Sequence, residues 1–520
     1  MTKFENSLQN SIFQPTFGHY FSKIFPKSQN FSPLLGKILY IWVMKANQNP
    51  LIGREKEIAQ LKHTVDSNRS EFVVIFGRRR IGKTFLVRKF FEDRYHFSYV
   101  GQRDVTDAVQ LQRFALALQN YAGLDNVPDF KNWFEAFDAL KKYLGSLDAK
   151  KRKIIFIDEM PWIDRKQCDF VKALEDFWNA WANLRDDIVF IACGSATSWM
   201  VDNLMENQGG LHNRITNKIY LHPFTLKESE QYLDSIGCPW DRYQIVECYM
   251  ILGGVPFYLS LLDPKESLAQ NVDRLFFNKN ALLSQEFNEL YNSLFTNANK
   301  YIDVVAALSQ KKEGLDRTEI SESTGISGGM LTTILTNLER CDFILSYSRF
   351  NTKKNGSVYR LCDFYSLFYF NFIAENFSKD ENFWTHHLQS PRLRTWQGLT
   401  FEIVCLQHLD QIKTALGISG MATEASIWRC NDPEQGKAQI DLLIKRADRI
   451  IDLCEIKFCT EKFSIDKSYA ERIRNRTALF RMKSKTRYGL ANIFITTFGI
   501  VQGKNSGVVD GEITANQLFA

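Results

Sequence analysis

The segment GRRRIGKT, Gly77 to Thr84, fits the spacing G-x-x-x-x-G-K-[ST] and stands directly between the apolar run FVVIF and the helical pattern FLVRKFFE. That placement constrains the chain more than any other feature: a buried strand must end in a loop that opens a helix. The backbone of Gly77, Arg78, Arg79, Arg80, Ile81 and Gly82 can fold around phosphate oxygens, with successive amides and the helix N-terminus aimed at negative charge. Lys83 can neutralise the outer phosphates, and the Thr84 hydroxyl can ligate magnesium.

A second apolar run, IIFIDE, ends in Asp158 and Glu159. A hard Mg2+ ion needs a carboxylate nearby, which suits Asp158, while Glu159 can orient or deprotonate an attacking water. Ser195 closes VFIACGS, where a polar side chain could feel a terminal phosphate; a simple strand-to-helix turn explains it equally well. Arg214, just before the run KIYLHP, is either a surface arginine or a donor to transition-state charge in the manner of an arginine finger.

At 520 residues the chain should divide into three or four domains. Its composition, 45% apolar and 24% charged, is that of a packed soluble protein, and a net charge of +6 is too mild to argue for nucleic acid by itself. The ten cysteines have no CxxC pairing, which predicts buried reduced thiols without a disulfide or structural metal and, with them, a cytoplasmic protein. No apolar run is long enough to span a bilayer, so neither secretion nor a membrane is expected. Residues 1–43 lack periodicity, and Met44 is expected to be the natural start, the segment before it being a disordered or non-native extension.

From 44 to 230, five β-like runs (72–77, 96–101, 154–159, 189–194 and 218–223) alternate with helical patterns, which predicts a three-layer α/β core. Residues 231–298 read as a helical lid broken at GGVP, 253–256. Over 299–375, three helices precede two β-runs separated by TKKNG, the pattern of a winged helix, followed by the aromatic stretch Phe364 to Phe377 as packing material. The third helix, GGMLTTILTNLERC, has one basic residue, Arg340, and the turn offers Lys353 and Lys354, which suits a structural or regulatory role better than reading bases.

The last segment, 385–520, begins with a helix around Trp396 to Leu409 and passes into QIDLLIKRADRIIDLCEIKF. Strand alternation puts Glu455 and Lys457 on one face, with Asp441 beside them from the neighbouring strand. Two carboxylates can hold Mg2+ against a phosphodiester, and the lysine can position or activate water. Between Lys467 and Arg487 lie eight basic residues and one acid, either a solvated helix face or a track for a phosphate backbone.

NPLIGREKEIAQL, GRRRIGKT, the strand ending in DE, the GS strand end and GGVPFYL together resemble prokaryotic AAA+/STAND-like P-loop ATPases of the archaeal type, over residues 50–375. That resemblance implies ATP and Mg2+ as cofactors, a lid element at Gly254 to Pro256 beside the nucleotide, and possible homo-oligomers in which Arg214 acts in its own subunit or its neighbour. The spacing D-x(13)-E-x-K is similar to the PD-(D/E)xK restriction-endonuclease-like fold over roughly 390–500, with Glu402 as the acid supplied from the preceding helix. Gln439-Ile440 stands where that motif has proline. The expectation is an ATP-hydrolysing switch or motor coupled to a DNA-directed, nuclease-like C-terminal domain. The alternatives are a signalling or scaffold ATPase with an inactive C-terminal binding domain, and an ATP-controlled transcription regulator.

Overall fold

The computed structural model describes residues 51–520 apart from 166–167, 207–208, 212, 312, 351–356, 375, 377–379 and 433–435. The extension at 1–43 with Met44, the turn lysines Lys353 and Lys354, and Phe377 lie outside the described residues.

Five parallel strands, β1 (Glu71–Phe76), β2 (Phe97–Val100), β3 (Lys153–Asp158), β4 (Ile188–Gly194) and β5 (Asn217–Tyr220), form a sheet in the order β2-β3-β4-β1-β5. Each of the five coincides with one of the β-like runs. Between their ends β1, β3 and β4 are apolar without interruption because both faces of a parallel sheet are covered. Alternation then divides their side chains. Phe72, Val74, Ile155, Ile157, Phe190 and Ala192 pack with Phe114, Trp133, Phe170 and Trp178 on one side, while Val73, Ile75, Phe156, Val189 and Ile191 pack with Leu61, Leu86 and Val87 on the other. Because the strands are parallel and β4 lies between β1 and β3, the residues following all three meet at one edge of the sheet.

Helices Leu226–Ser235 and Arg242–Leu252 follow, the second ending at Gly253. Gly253 and Gly254 both have positive φ, and a Cβ on Gly254 would stand 2.2 Å from the carbonyl oxygen of Phe224, so only glycine fits there. The close approach is used: the Phe224 amide donates to the Gly254 carbonyl at 2.8 Å. Pro256 then opens the short helix Pro256–Leu259, where its missing N–H costs nothing.

Helices Ala298–Gln310, Arg317–Thr324 and Gly328–Arg340 accompany an antiparallel sheet in the order β6 (Leu315–Asp316), β8 (Ser357–Leu361), β7 (Ile344–Ser348), with β6 falling between the first two helices. The aromatic stretch after it buries Phe364, Tyr365, Phe368 and Phe372.

The C-terminal part begins with α1 (Pro391–Gln407), which starts earlier than Trp396 because Ser390 accepts from the Leu393 amide at 3.2 Å and Pro391 takes the first helical position. Strands β9 (Thr423–Asp432), β10 (Gly436–Arg446) and β11 (Ile450–Lys457) pair antiparallel. After α2 (Lys467–Ser484), β12 (Gly489–Thr496) and β13 (Gly511–Thr514) add in parallel, giving the order β13-β12-β11-β10-β9. A register shift between Ile440 and Leu443 sets two residues of β10, Asp441 and Leu442, against Ile427 of β9. Ile427 is also bridged to Arg349, and its carbonyl accepts from the Phe350 amide at 3.1 Å, so the segment after β7 lies along the β9 edge.

Candidate functional site

At the carboxyl edge of the parallel sheet the loop leaves β1 at Gly77, whose φ of 141° no side chain would tolerate, since a Cβ would sit 2.4 Å from the Leu221 carbonyl oxygen. Gly82, at φ 87°, precedes the helix that starts at Lys83. The buried Lys83 donates from Nζ to the carbonyls of Gly77 and Arg78, both at 2.9 Å. Thr84 Oγ1 donates to Asp158 Oδ2 at 2.7 Å, joining a hydroxyl from the loop to a carboxylate from β3. These two oxygens are the donor set a hard divalent cation prefers, and the glycine-rich turn above them leaves its amides to phosphate.

Glu159 has left-handed backbone (φ 46°), and its Oε2 accepts from the Ser195 hydroxyl at 2.8 Å and the Ser195 amide at 3.3 Å. Burial pushes this carboxyl up, against the pull of Lys83, which makes it a better proton acceptor than an exposed glutamate. Gly77, Lys83, Thr84, Asp158, Glu159 and Ser195 are therefore brought together.

The side chains of Arg78 and Arg80 are engaged elsewhere. Arg78 is buried and pairs with Asp363 at 2.5 Å, its guanidinium lying 4.9 Å from the centre of the Phe343 ring. Burial would lower its pKa, but Asp363 raises it above the ordinary value. Arg80 pairs with Glu286 at 2.5 Å and stacks on Phe257 at 4.4 Å, while its carbonyl accepts from the Phe257 amide at 3.3 Å. Arg79 stays partly exposed. Arg78 and Arg80 thus contribute backbone to the loop, while their side chains tie it to the lid and to the turn after β8.

Arg214 is exposed in the turn before β5. The register Val73↔Asn217 puts it at the edge where the strands begin, opposite the loop, so it is not brought to the phosphate site of its own chain.

In the C-terminal sheet the register Leu442↔Cys454 sets Asp441 beside Glu455. Asp441 Oδ2 accepts from the Ile456 amide at 3.4 Å and Oδ1 from Gln439 Nε2 at 3.2 Å. Glu455 is held by three partners: Lys457 Nζ at 2.8 Å, the Tyr469 hydroxyl at 2.5 Å, and the guanidinium of Arg476. Burial and the nearby Glu402 and Glu455 charges push Asp441 up to about 7. Burial would raise Glu455 as well, but Lys457 and Arg476 hold it well below the usual carboxylate range.

Glu402 is paired with Arg360 at 2.9 Å. Among the described residues one acid, thiol or imidazole group has three ligand atoms mutually within 4.8 Å, Asp107 with Cys168 and Asp169; Glu402, Asp441 and Glu455 do not form such a set. The expected three-carboxylate metal site is therefore not assembled in this conformation, because cationic side chains occupy two of its members. The basic run is corrected in part too. Arg476 is buried against Glu455, and Lys483 is paired with Asp432, so they are not free to track a backbone.

Sequence reading missed Tyr469, Asp363 and Glu286, and took Arg476 only as one member of a basic run. The one available signal was the run of three arginines in a loop whose phosphate chemistry needs only Lys83.

Residues 51–262 match the family described as an ATPase domain predominantly from Archaea. An uncharacterized protein of Methanocaldococcus jannaschii is 25% identical over 370 residues, 69% of this chain and 77% of that protein. A shorter protein of the same organism, described as an uncharacterized ATP-binding protein, is 35% identical over 43 residues, 8% of this chain and 73% of its own. Among solved structures, a Walker-type ATPase of Pyrococcus abyssi aligns over 62% of this chain and 96% of its own at 17% identity, with a TM-score of 0.46.

Proposed function

We propose that this chain, whose residues 51–262 carry the archaeal-type ATPase domain, binds ATP with Mg2+ at Gly77 to Thr84, hydrolyses it, and passes its nucleotide state to the lid and the helical unit behind it. The observation that carries this reading is the joining of Thr84 to Asp158 at 2.7 Å beside Glu159 and Ser195. Thr84 and Asp158 are the residues that would hold the ion, which supplies charge neutralisation to the outer phosphates when bound. Lys83 would exchange its two carbonyl acceptors for phosphate oxygens. Glu159, released from Ser195, would take the proton of the attacking water. Arg214 serves only a neighbouring copy in this reading, which makes turnover depend on self-association.

ATP binding and steady-state hydrolysis by the wild type, Lys83→Ala and Glu159→Gln test the assignment. Lys83→Ala is expected to lose binding, and Glu159→Gln to keep binding while turnover falls by roughly 10²–10⁴-fold, the range for a lost general base. Full turnover in Glu159→Gln would remove the glutamate from the mechanism.

For the C-terminal part, the helix–β–β–β–helix–β order and the bulge at Asp441 beside Glu455-x-Lys457 support a restriction-endonuclease-like domain. The engagement of Glu455 and Glu402 by cations supports a resting state without phosphodiester chemistry, used to bind DNA or another partner. The winged-helix reading of 299–375 is structural for a parallel reason: Arg340 is spent on Asp202 at 2.8 Å and Glu206 at 3.2 Å. Single- and double-stranded DNA incubated with Mg2+ or Mn2+, with and without ATP, separates the readings. Cleavage abolished in Glu455→Ala establishes a nuclease, whereas binding without cleavage establishes a binding domain.

A further inference from the structure

Between the helix Ala298–Gln310, strand β8, the aromatic turn after Asp363 and α1 lies a cavity of about 420 Å3. A volume of this order, with apolar walls and a few fixed polar groups, is that of a small-molecule site. Leu308, Leu367 and Ile403 are among its walls, and its charged groups are all basic: Lys311, Arg360 and Arg392. Among the described residues no acidic side chain lines it.

Two of its donors are buried and unsatisfied. Arg360 is 9% exposed and Trp396 5%. Arg360 Nε and Trp396 Nε1 have no hydrogen-bond partner among the described residues. Both bonds made by the guanidinium, to the Leu399 carbonyl at 3.3 Å and to Glu402 at 2.9 Å, leave from Nη2. Strand pairing with Leu345 fixes the Arg360 backbone. A buried guanidinium with one carboxylate partner and unused donors is costly unless something else accepts from it. The indole presents the same demand from the opposing helix. Arg392, stacked on Phe372 at 5.3 Å, adds positive charge at the exposed rim.

We propose that this cavity binds a small organic anion, a carboxylate or phosphate carried on an apolar body. Arg360 meets the anionic group, Trp396 donates to it, and the apolar walls take the rest. Glu402 is then an internal competitor for Arg360, so occupancy frees that carboxylate next to Asp441. This site lies apart from the ATP loop and does not depend on the ATPase reading.

Calorimetric titration of the full-length chain with octanoate, phenyl phosphate and, as the neutral control, octanol tests the proposal. Phenyl phosphate is titrated into Lys83→Ala so that the loop at Gly77 to Thr84 does not take the probe. One of the two anions is expected to saturate one site per chain, with octanol at least tenfold weaker; which anion it is decides between carboxylate and phosphate. Arg360→Met should weaken the anion at least tenfold, and Glu402→Gln, which removes the competitor, should tighten it several-fold. If Arg360→Met does not fold, Arg392→Ala at the rim should weaken binding two- to fivefold with Glu402→Gln still tightening it. Absence of saturable anion binding, octanol binding as tightly as the anion that saturates, or an affinity unmoved by Glu402→Gln would overturn the site.

Discussion

Arg78 and Asp363 stand 285 positions apart and meet with both side chains almost wholly buried. Such a pair adds little over a well-packed apolar pair, but removing one partner strands the other charge in the interior. Arg78→Met is therefore expected to lower unfolding free energy by about 3–5 kcal/mol, the usual cost of an unpaired buried charge. Arg78→Met combined with Asp363→Asn, which keeps the cap that Asp363 gives the Ser366 amide at 2.9 Å, should recover most of that loss in denaturant melts. Asp441 behaves in the opposite sense. Its folded pKa is raised towards neutrality by burial and by Glu402 and Glu455, so the folded state holds a proton that the unfolded chain has already released. Its contribution to stability falls as pH rises from about 4, the unfolded carboxyl value, to about 7, and stays low above that. Glu455, depressed in the folded state by Lys457 and Arg476, contributes stability above its unfolded value and loses it in acid. Melting temperatures of the wild type should thus drop more between pH 5 and 8 than those of Asp441→Asn.

The elements divide sharply into those written in local pattern and those that were not. Strands β1, β3 and β4 could be read because continuous apolar runs of four to six residues bounded by glycine or acid have few other uses. The loop Gly77 to Thr84 was legible for the same reason, as backbone geometry and chemistry share one short stretch. Asp441, Glu455 and Lys457 could be placed on one sheet by alternation, yet their ion partners could not: Arg476 lies on α2 inside a basic run whose other members look identical in sequence. Partner choice of that kind depends on which helix face meets the sheet, and no periodicity records it. The break at GGVP was visible, whereas its purpose required the Phe224 carbonyl. Gly254→Ala should cost roughly 2–4 kcal/mol, from positive φ together with overpacking against backbone. ATP affinity should fall with it, since Phe257 just beyond donates to the Arg80 carbonyl.

Taken as a whole, residues 51–520 hang their later elements on the phosphate loop through side chains that the loop chemistry does not itself need. Arg80 reaches Glu286 and Phe257, Arg78 reaches Asp363 and Phe343, and Arg340 reaches back to Asp202 and Glu206. If nucleotide binding alters the loop backbone, as proposed above, the Arg78 and Arg80 ties are the route by which the lid and the aromatic turn would feel it. Hydrogen exchange at residues 256–259 and 364–373 should respond to a non-hydrolysable ATP analogue in the wild type and be unmoved in Lys83→Ala. One further consequence lies at the far end of the chain. Strand β9 is the last in its sheet, and the contact it makes through Ile427 to Phe350 closes part of an otherwise open row of amides and carbonyls. Any motion that carries β7 and Phe350 away unplugs that row, and an unplugged row is a template for another extended chain.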